Sequence, residues 1–299
     1  MSQITCRAYA KINLTLDVGP RRVDGYHDIR SVMQTIALHD TLSAELIPGR
    51  PGVSLEVTGE EAGGVPADET NLVHKAAVRG QKIAAARQVL PGSQSGLHLR
   101  LHKRIPSQAG LGGGSSDAAA TLIAVNSLLG LALSEARLSE IGAALGADVA
   151  FFLTGGTALA EGRGEKITPL PPLTTDWPLV VVKPAIGVST AAAYAALDAV
   201  TDRKMSGVTH RWLGGEQVPS NDFEAVILPV YPEVAAAYAL LSQTAEHSKS
   251  FRPVLCGSGA ALFLRASSQA AAEHIAEEVR AAGVGKVWVT QTIGAKSNI

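Results

Sequence analysis

The sequence predicts an α+β protein of two domains. Three observations carry this. Strands and helices alternate without a regular strand–helix–strand beat. A proline cluster, Pro169-Leu170-Pro171-Pro172, punctuates the chain and predicts a boundary between residues 1–168 and 169–299. Its 299 residues, 46% hydrophobic and 18% charged, suffice for two cores. No repeat of about 20 to 50 residues is visible.

The elements follow in order. Ala8 to Val18 alternates as a strand and carries Lys11 and Asn13. Arg21 to Asp28 is polar, with an Asp-Gly turn, and reads as a loop. Ser31 to Leu46 reads as a strand pair split by Asp40, and Val53 to Thr58 as a further strand. Gly59 to Asp68 is a surface loop. Asn71 to Leu90 has apolar residues at helical spacing and stops near Pro91-Gly92. Leu97 to Leu101 is a strand, and Lys103 to Gly114 a Pro/Gly loop. Ser115 to Leu129 is apolar around most of its circumference, hence a buried helix, with Ser115 or Ser116 as its cap. A helix from Ser134 to Leu145 precedes the apolar run Ala147 to Leu153, which contains Asp148. Gly155 to Thr168 reads as a hairpin. Beyond the prolines come a buried strand (Leu179 to Val182), helices at Thr190 to Ala199 and Glu233 to Gln243, a glycine turn (Cys256 to Gly259) and a strand (Ala261 to Leu264). A long amphipathic helix (Ser268 to Ala282) and a last strand (Lys286 to Thr292) complete the order.

Composition excludes several functions. A net charge of −1 lacks the basic excess of a duplex binder or of a polybasic membrane anchor. Aromatic residues, at 4%, leave a base-stacking surface little material. Neither nucleic acid nor membrane is therefore expected as a partner. The first residues show no basic-then-apolar leader, and Ala118 to Leu133 falls short of a membrane span. Two cysteines, Cys6 and Cys256, make no framework and predict a reducing, cytoplasmic setting. His98 and His102 share a strand face without a third ligand, so no zinc site is expected.

The most informative stretch is Ile105-Pro-Ser-Gln-Ala-Gly-Leu-Gly-Gly-Gly-Ser-Ser-Asp117. Its glycines let backbone N–H groups converge, and the following helix aims its positive end at the same point, which makes an anion site. No Gly-Lys-[Ser/Thr] follows, so the loop is not a Walker A motif, and Ser115 stands where a dinucleotide fingerprint needs glycine.

Pro106 to Ala118 resembles the phosphate loop of the GHMP small-molecule kinases, the galactokinase, homoserine kinase and mevalonate kinase family. Ala10-Lys-Ile-Asn-Leu14, Arg22-Val-Asp-Gly-Tyr-His27, Leu145-Gly-Ala-Asp-Val149, Ser220-Asn-Asp-Phe223 and Cys256-Gly-Ser-Gly259 follow in that family's order, from about residue 8 to 265. The resemblance implies a GHMP-kinase-like fold: an N-terminal domain like the second domain of ribosomal protein S5, and a ferredoxin-like C-terminal domain. It implies ATP-dependent phosphorylation of the 2-hydroxyl of a small molecule, cytidine diphosphate-linked methylerythritol, by a monomer or weak homodimer.

The same resemblance assigns residues. Lys11 and Asp148 are catalytic. Pro106, Ser107, Gln108, Ala109, Gly110, Leu111, Gly112, Gly113, Gly114, Ser115 and Ser116 bind the phosphates of ATP. Asn71 and Lys103 lie around adenine, although a helix cap and an exposed lysine are the plainer readings. Asn13, Tyr26, His27 and Tyr194 bind substrate: Tyr26 stacks on the cytosine and His27 bonds its edge. Asn13 could equally pin backbone, and Tyr194 could be a core residue. Mg²⁺ arrives on ATP, with the Ser115 or Ser116 hydroxyl beside it. Three other readings stay open: another GHMP kinase such as a homoserine kinase, a dinucleotide-dependent oxidoreductase, and a non-catalytic nucleotide-binding module.

Overall fold

The computed structural model describes residues 3–88, 95–200 and 204–294. The first half builds one mixed sheet from β1 (Gln3–Asn13), β2 (Thr15–Arg21), β3 (His27–Pro48) and β4 (Val53–Thr58). Next come α1 (Leu72–Ala86), β5 (Ser95–His102), α2 (Gly113–Leu128), α3 (Glu135–Ala143), α4 (Val149–Thr154), β6 (Thr157–Gly162) and β7 (Lys166–Pro169). Strand β3 is the spine: β1 and β2 follow one another along one edge, and β5 and β6 along the other.

The remaining elements are β8 (Pro178–Lys183), α5 (Thr190–Asp198), α6 (Val208–Leu213), β9 (Ser220–Asn221), α7 (Glu224–Ile227), α8 (Pro232–His247), β10 (Val254–Leu255), β11 (Leu262–Arg265), α9 (Gln269–Ala282) and β12 (Lys286–Gln291). A second, antiparallel sheet runs β10-β11-β8-β12. Strand β9 instead pairs in parallel with β2, so the late chain returns to the first sheet.

The apolar run of β8 is explained by burial on both faces. Val180 and Val182 join Val234 and Leu241 of α8 and Ile275 and Val279 of α9 in one core. Leu179 and Val181 face the other way, onto Ile12 of β1 and Val32 and Ile36 of β3. The two sheets thus share a core. Helix α2 is apolar all round because β1, β3, α1 and α4 surround it.

The mixed α+β content matches the expectation, and the differences are local. Ser31 to Leu46 is one continuous strand: Asp40 does not split it, because its buried carboxylate is satisfied by Lys103 Nζ and the N–H groups of Arg104 and Ile105. The strand expected from Ala8 to Val18 is broken at Leu14, between β1 and β2. The predicted end of α1 at Leu90, with Pro91-Gly92, lies outside the described residues. Helix α2 starts two residues early, at Gly113, with left-handed Gly112 as its N-cap. The serines therefore sit in its first turn and do not cap it. Elements α6, β9 and α7 lie where the sequence predicts nothing, being too short to show a period.

Candidate active site

A cavity of about 1070 Å³ opens between the glycine loop, the first strands and α5. The loop forms one wall. Gly112 has φ +73°, and a Cβ there would stand 2.6 Å from Phe152 Cζ and 3.2 Å from Lys11 Cγ. Gly110, also left-handed, lies so close to the Cys256 carbonyl that a Cβ would run into it. The late glycine turn therefore backs the loop, and Leu111 O accepts the Lys11 N–H at 3.0 Å. The N–H groups of Gly113, Gly114 and Ser115 have no partner within α2, and all three residues line the cavity. Together with the helix dipole they make a cradle whose chemistry suits an anion.

Lys11 stands at the cavity floor, only 4% exposed. Its Nζ donates to Asn13 Oδ1 at 2.8 Å and lies 3.5 Å from Asp148 Oδ2. Asp148 occupies the N-cap position of α4 yet makes no cap bond. Its carboxylate faces the cavity beside Lys11. Asn13 is tied into the fold and also lines the cavity. Its Oδ1 also accepts from Gly257 N at 3.1 Å, its Nδ2 donates to Ser31 Oγ at 2.7 Å, and it lines the cavity.

Below the loop lies a buried triad. Lys103 Nζ is held by Asp40 Oδ2 and, at 2.7 Å, by Asp117 Oδ2. Burial pushes the Asp117 carboxyl up to about 8, against the pull of Lys103. Burial works to lower the Lys103 ammonium, but Asp117 and Asp40 outweigh it and raise it. The adenine contact expected of Lys103 is therefore not what its side chain is placed to make: the residue reaches the cavity wall, but two carboxylates hold its ammonium. Asn71 likewise is the N-cap of α1, accepting from Val73 N at 2.9 Å and donating to Pro66 O at 2.6 Å. It does not line the cavity, although its neighbour Leu72 does. Of the two serines, Ser115 faces the cavity, whereas buried Ser116 donates from Oγ to Tyr9 O at 2.6 Å.

The opposite wall is aromatic. Tyr26 is 54% exposed, with the Arg163 guanidinium 4.8 Å from its ring centroid. His27 is buried and stacks on Tyr194, with centroids 4.8 Å apart and planes at 28°. Tyr194 meets Phe223 edge-on at 5.0 Å, so it is at once a core contact and a cavity residue. His27 Nδ1 lies 2.9 Å from Gly19 O, and Nε2 lies 3.3 Å from Asp198 Oδ1. Nδ1 is engaged by the Gly19 carbonyl, which leaves Nε2, beside the Asp198 carboxylate, as the nitrogen nearer a free edge. Asp198, Arg21 and Arg163 line the cavity and escaped the sequence reading. Each is a single charge in an unremarkable local pattern; the signal available was the i, i+4 spacing of Tyr194 and Asp198 on one helix face.

Among the described residues, no group of three His, Cys, Asp or Glu side chains could hold a metal ion, and no helix is long and apolar enough to cross a membrane.

Residues 71–156 match the family model described as "GHMP kinases N terminal domain", which sets the class of the molecule as a GHMP kinase. The chain is 44% identical over 292 residues to the 4-diphosphocytidyl-2-C-methyl-D-erythritol kinase of Moorella thermoacetica, covering 94% of this chain and 96% of that one. It is 41% identical over 291 residues to the Geobacter sulfurreducens protein of the same name, with the same coverages. A crystal structure of 4-(cytidine 5'-diphospho)-2C-methyl-D-erythritol kinase superposes with a TM-score of 0.76 at 31% identity, covering 97% of this chain and all of that one. A homoserine kinase from Cytophaga hutchinsonii, at TM-score 0.73 and 18% identity, shares the fold. The chain belongs to the 4-diphosphocytidyl-2-C-methyl-D-erythritol kinase family.

Proposed function

We propose that the protein transfers the γ-phosphoryl group of ATP to the 2-hydroxyl of 4-diphosphocytidyl-2-C-methyl-D-erythritol, giving the 2-phosphate and ADP, a step of the non-mevalonate route to isoprenoid precursors. The observation that carries this reading is the Lys11–Asp148 pair, 3.5 Å apart, set between a phosphate cradle and an aromatic wall. Phosphoryl transfer needs positioned phosphates, charge neutralisation and an oriented hydroxyl. Asp148 accepts the hydroxyl proton as the bond to phosphorus forms. The Lys11 ammonium, 3.5 Å from that carboxylate, offsets charge on the transferred group. Asn13 holds Lys11 and, through Gly257, the late glycine turn.

The cradle of Gly110 to Ser115 takes the phosphates. Asn71 and Lys103 serve this end by fixing α1 and the loop, not by touching adenine with their side chains. Mg²⁺ carried by ATP would supply charge neutralisation, with the Ser115 hydroxyl as the hard oxygen donor that would lie beside it, since Ser116 is engaged elsewhere. Tyr26 and the His27–Tyr194 stack take the cytosine. A homoserine-sized alcohol would leave that aromatic wall without a partner, which disfavours the simpler kinase. Two buried thiols, with Cys6 raised to about 11 and Cys256 to about 12 by burial, suit the cytoplasm.

The test is ADP release against a panel of GHMP-kinase alcohols. Turnover with the cytidylated substrate alone is expected. Asp148→Asn should lower turnover about 10²–10⁴-fold with ATP affinity retained. Lys11→Met should do likewise, and the double variant should be little worse than either single. Near-normal turnover in Asp148→Asn removes the base.

A further inference from the structure

Helix α5 grips His27 in two places. Tyr194 covers the face of the imidazole at 4.8 Å, and Asp198, one turn later on the same side of the helix, meets Nε2 at 3.3 Å. Gly19 O closes the other nitrogen at 2.9 Å. The His27 side chain is buried, its Nδ1 is engaged by Gly19 O, and its Nε2 lies beside the Asp198 carboxylate. It is built as a fixed surface. The Asp198 carboxylate, by contrast, is 30% exposed, lines the same cavity as Tyr26, and among the described residues has the Arg21 guanidinium, 3.9 Å away, near its second oxygen.

A carboxylate accepts hydrogen bonds and donates none. The pyrimidines differ where that matters: cytosine carries an exocyclic amino group, a donor, where uracil carries a carbonyl oxygen, an acceptor. Acidic side chains accept from the cytosine amine for this reason. Placed against uracil, the same carboxylate would set two acceptors face to face.

We propose that Asp198 is the specificity residue for the base: its carboxylate, with one oxygen beside His27 Nε2, lines the cavity and accepts a hydrogen bond from the exocyclic amine of cytosine, so that a cytidine diphosphate is chosen over a uridine diphosphate. This rests on the cytidylated-substrate reading above and adds the group that reads the base.

The test is calorimetric titration of the full-length protein with CDP and with UDP, its nucleotide site first filled with a non-hydrolysable ATP analogue. The wild-type protein should bind CDP about tenfold or more tighter than UDP. In Asp198→Asn the carboxamide can turn its donor to a carbonyl, and the preference should fall to about twofold or less. ATP-analogue affinity should be unchanged. Wild-type binding of CDP and UDP with equal affinity overturns the proposal, and so does an undiminished preference in Asp198→Asn. Equal weakening of both ligands in the variant also overturns it, leaving Asp198 as a support for His27 alone. Turnover of the complete substrate is measured in parallel. Selective CDP binding that depends on Asp198, without any turnover, upholds the base site and defeats the kinase reading; turnover without base preference does the reverse.

Discussion

Asp117 is the clearest case of a residue whose state is set by its surroundings. It is buried, its Oδ1 has no hydrogen-bond partner, and it shares one ammonium with Asp40. Its carboxyl stands near 8 in the fold against 3.8 as the ordinary value, chiefly through desolvation. The folded state therefore holds this proton more tightly than the unfolded chain. The stability it contributes is complete below about pH 4 and is lost as the pH rises through about 8. Asp117→Asn keeps an acceptor for Lys103 and cannot ionise. Urea unfolding should show the variant gaining on the wild-type protein between pH 5.5 and 8.5; a difference independent of pH would contradict the assignment. At this scale the sequence revealed Lys11 and Asp148, because a lysine inside a strand and a carboxylate in an apolar run are conspicuous. It concealed the Lys103 triad, whose members lie 63 and 14 residues apart, because nothing local chooses such partners. It concealed Asp198 for the same reason.

The glycine loop was the most legible element, and its function follows from backbone geometry. Gly112 is left-handed and has Phe152 and Lys11 against the place where a Cβ would stand. Gly112→Ala should therefore shift the N-cap of α2 and, with it, the N–H groups meant for phosphate. Affinity for ATP should fall by about tenfold or more, with the far-ultraviolet circular dichroism retained. Unchanged affinity by titration would show that the phosphates rest elsewhere. The predicted helix start at Ser115 missed this geometry because serine is the commoner cap and glycine the poorer helix former. Here the loop needs an αL residue before it can turn into the helix, and the glycines supply it. Strand β3 was misjudged for a related reason: Asp40 looks like a breaker until its three partners across the chain are known.

For the molecule as a whole, the alternation of elements and the apolar β8 conveyed the α+β class, but not the way the late chain returns to the first sheet. Strand β9 pairs in parallel with β2 over two residues, too few to leave a pattern. Asn221 fastens this return. Its Nδ2 donates to Leu255 O at 2.8 Å and to Gly257 O at 2.7 Å, while its Oδ1 accepts from Phe223 N at 2.9 Å. Asn221→Ala strands these buried groups and should destabilise the fold by about 2–3 kcal/mol, read as a lower urea midpoint. Turnover should fall too, because Gly257 N is the group that meets Asn13. A variant with the wild-type midpoint would show that Asn221 does not hold the late chain to the first sheet.

The bond from Gly257 to Asn13 spans 244 residues of chain. During synthesis the N-terminal sheet, the phosphate loop and Asp148 all emerge before the residue that braces Asn13 and the turn that backs Gly110. A nascent chain halted short of residue 257 owns Lys11, Asp148 and the glycine loop and still lacks the backbone N–H that braces Asn13. Nucleotide bound at a completed cradle would, by mass action, stabilise finished chains over truncated ones, so ATP should slow limited proteolysis of the full-length chain and leave a chain ending before residue 257 as it was.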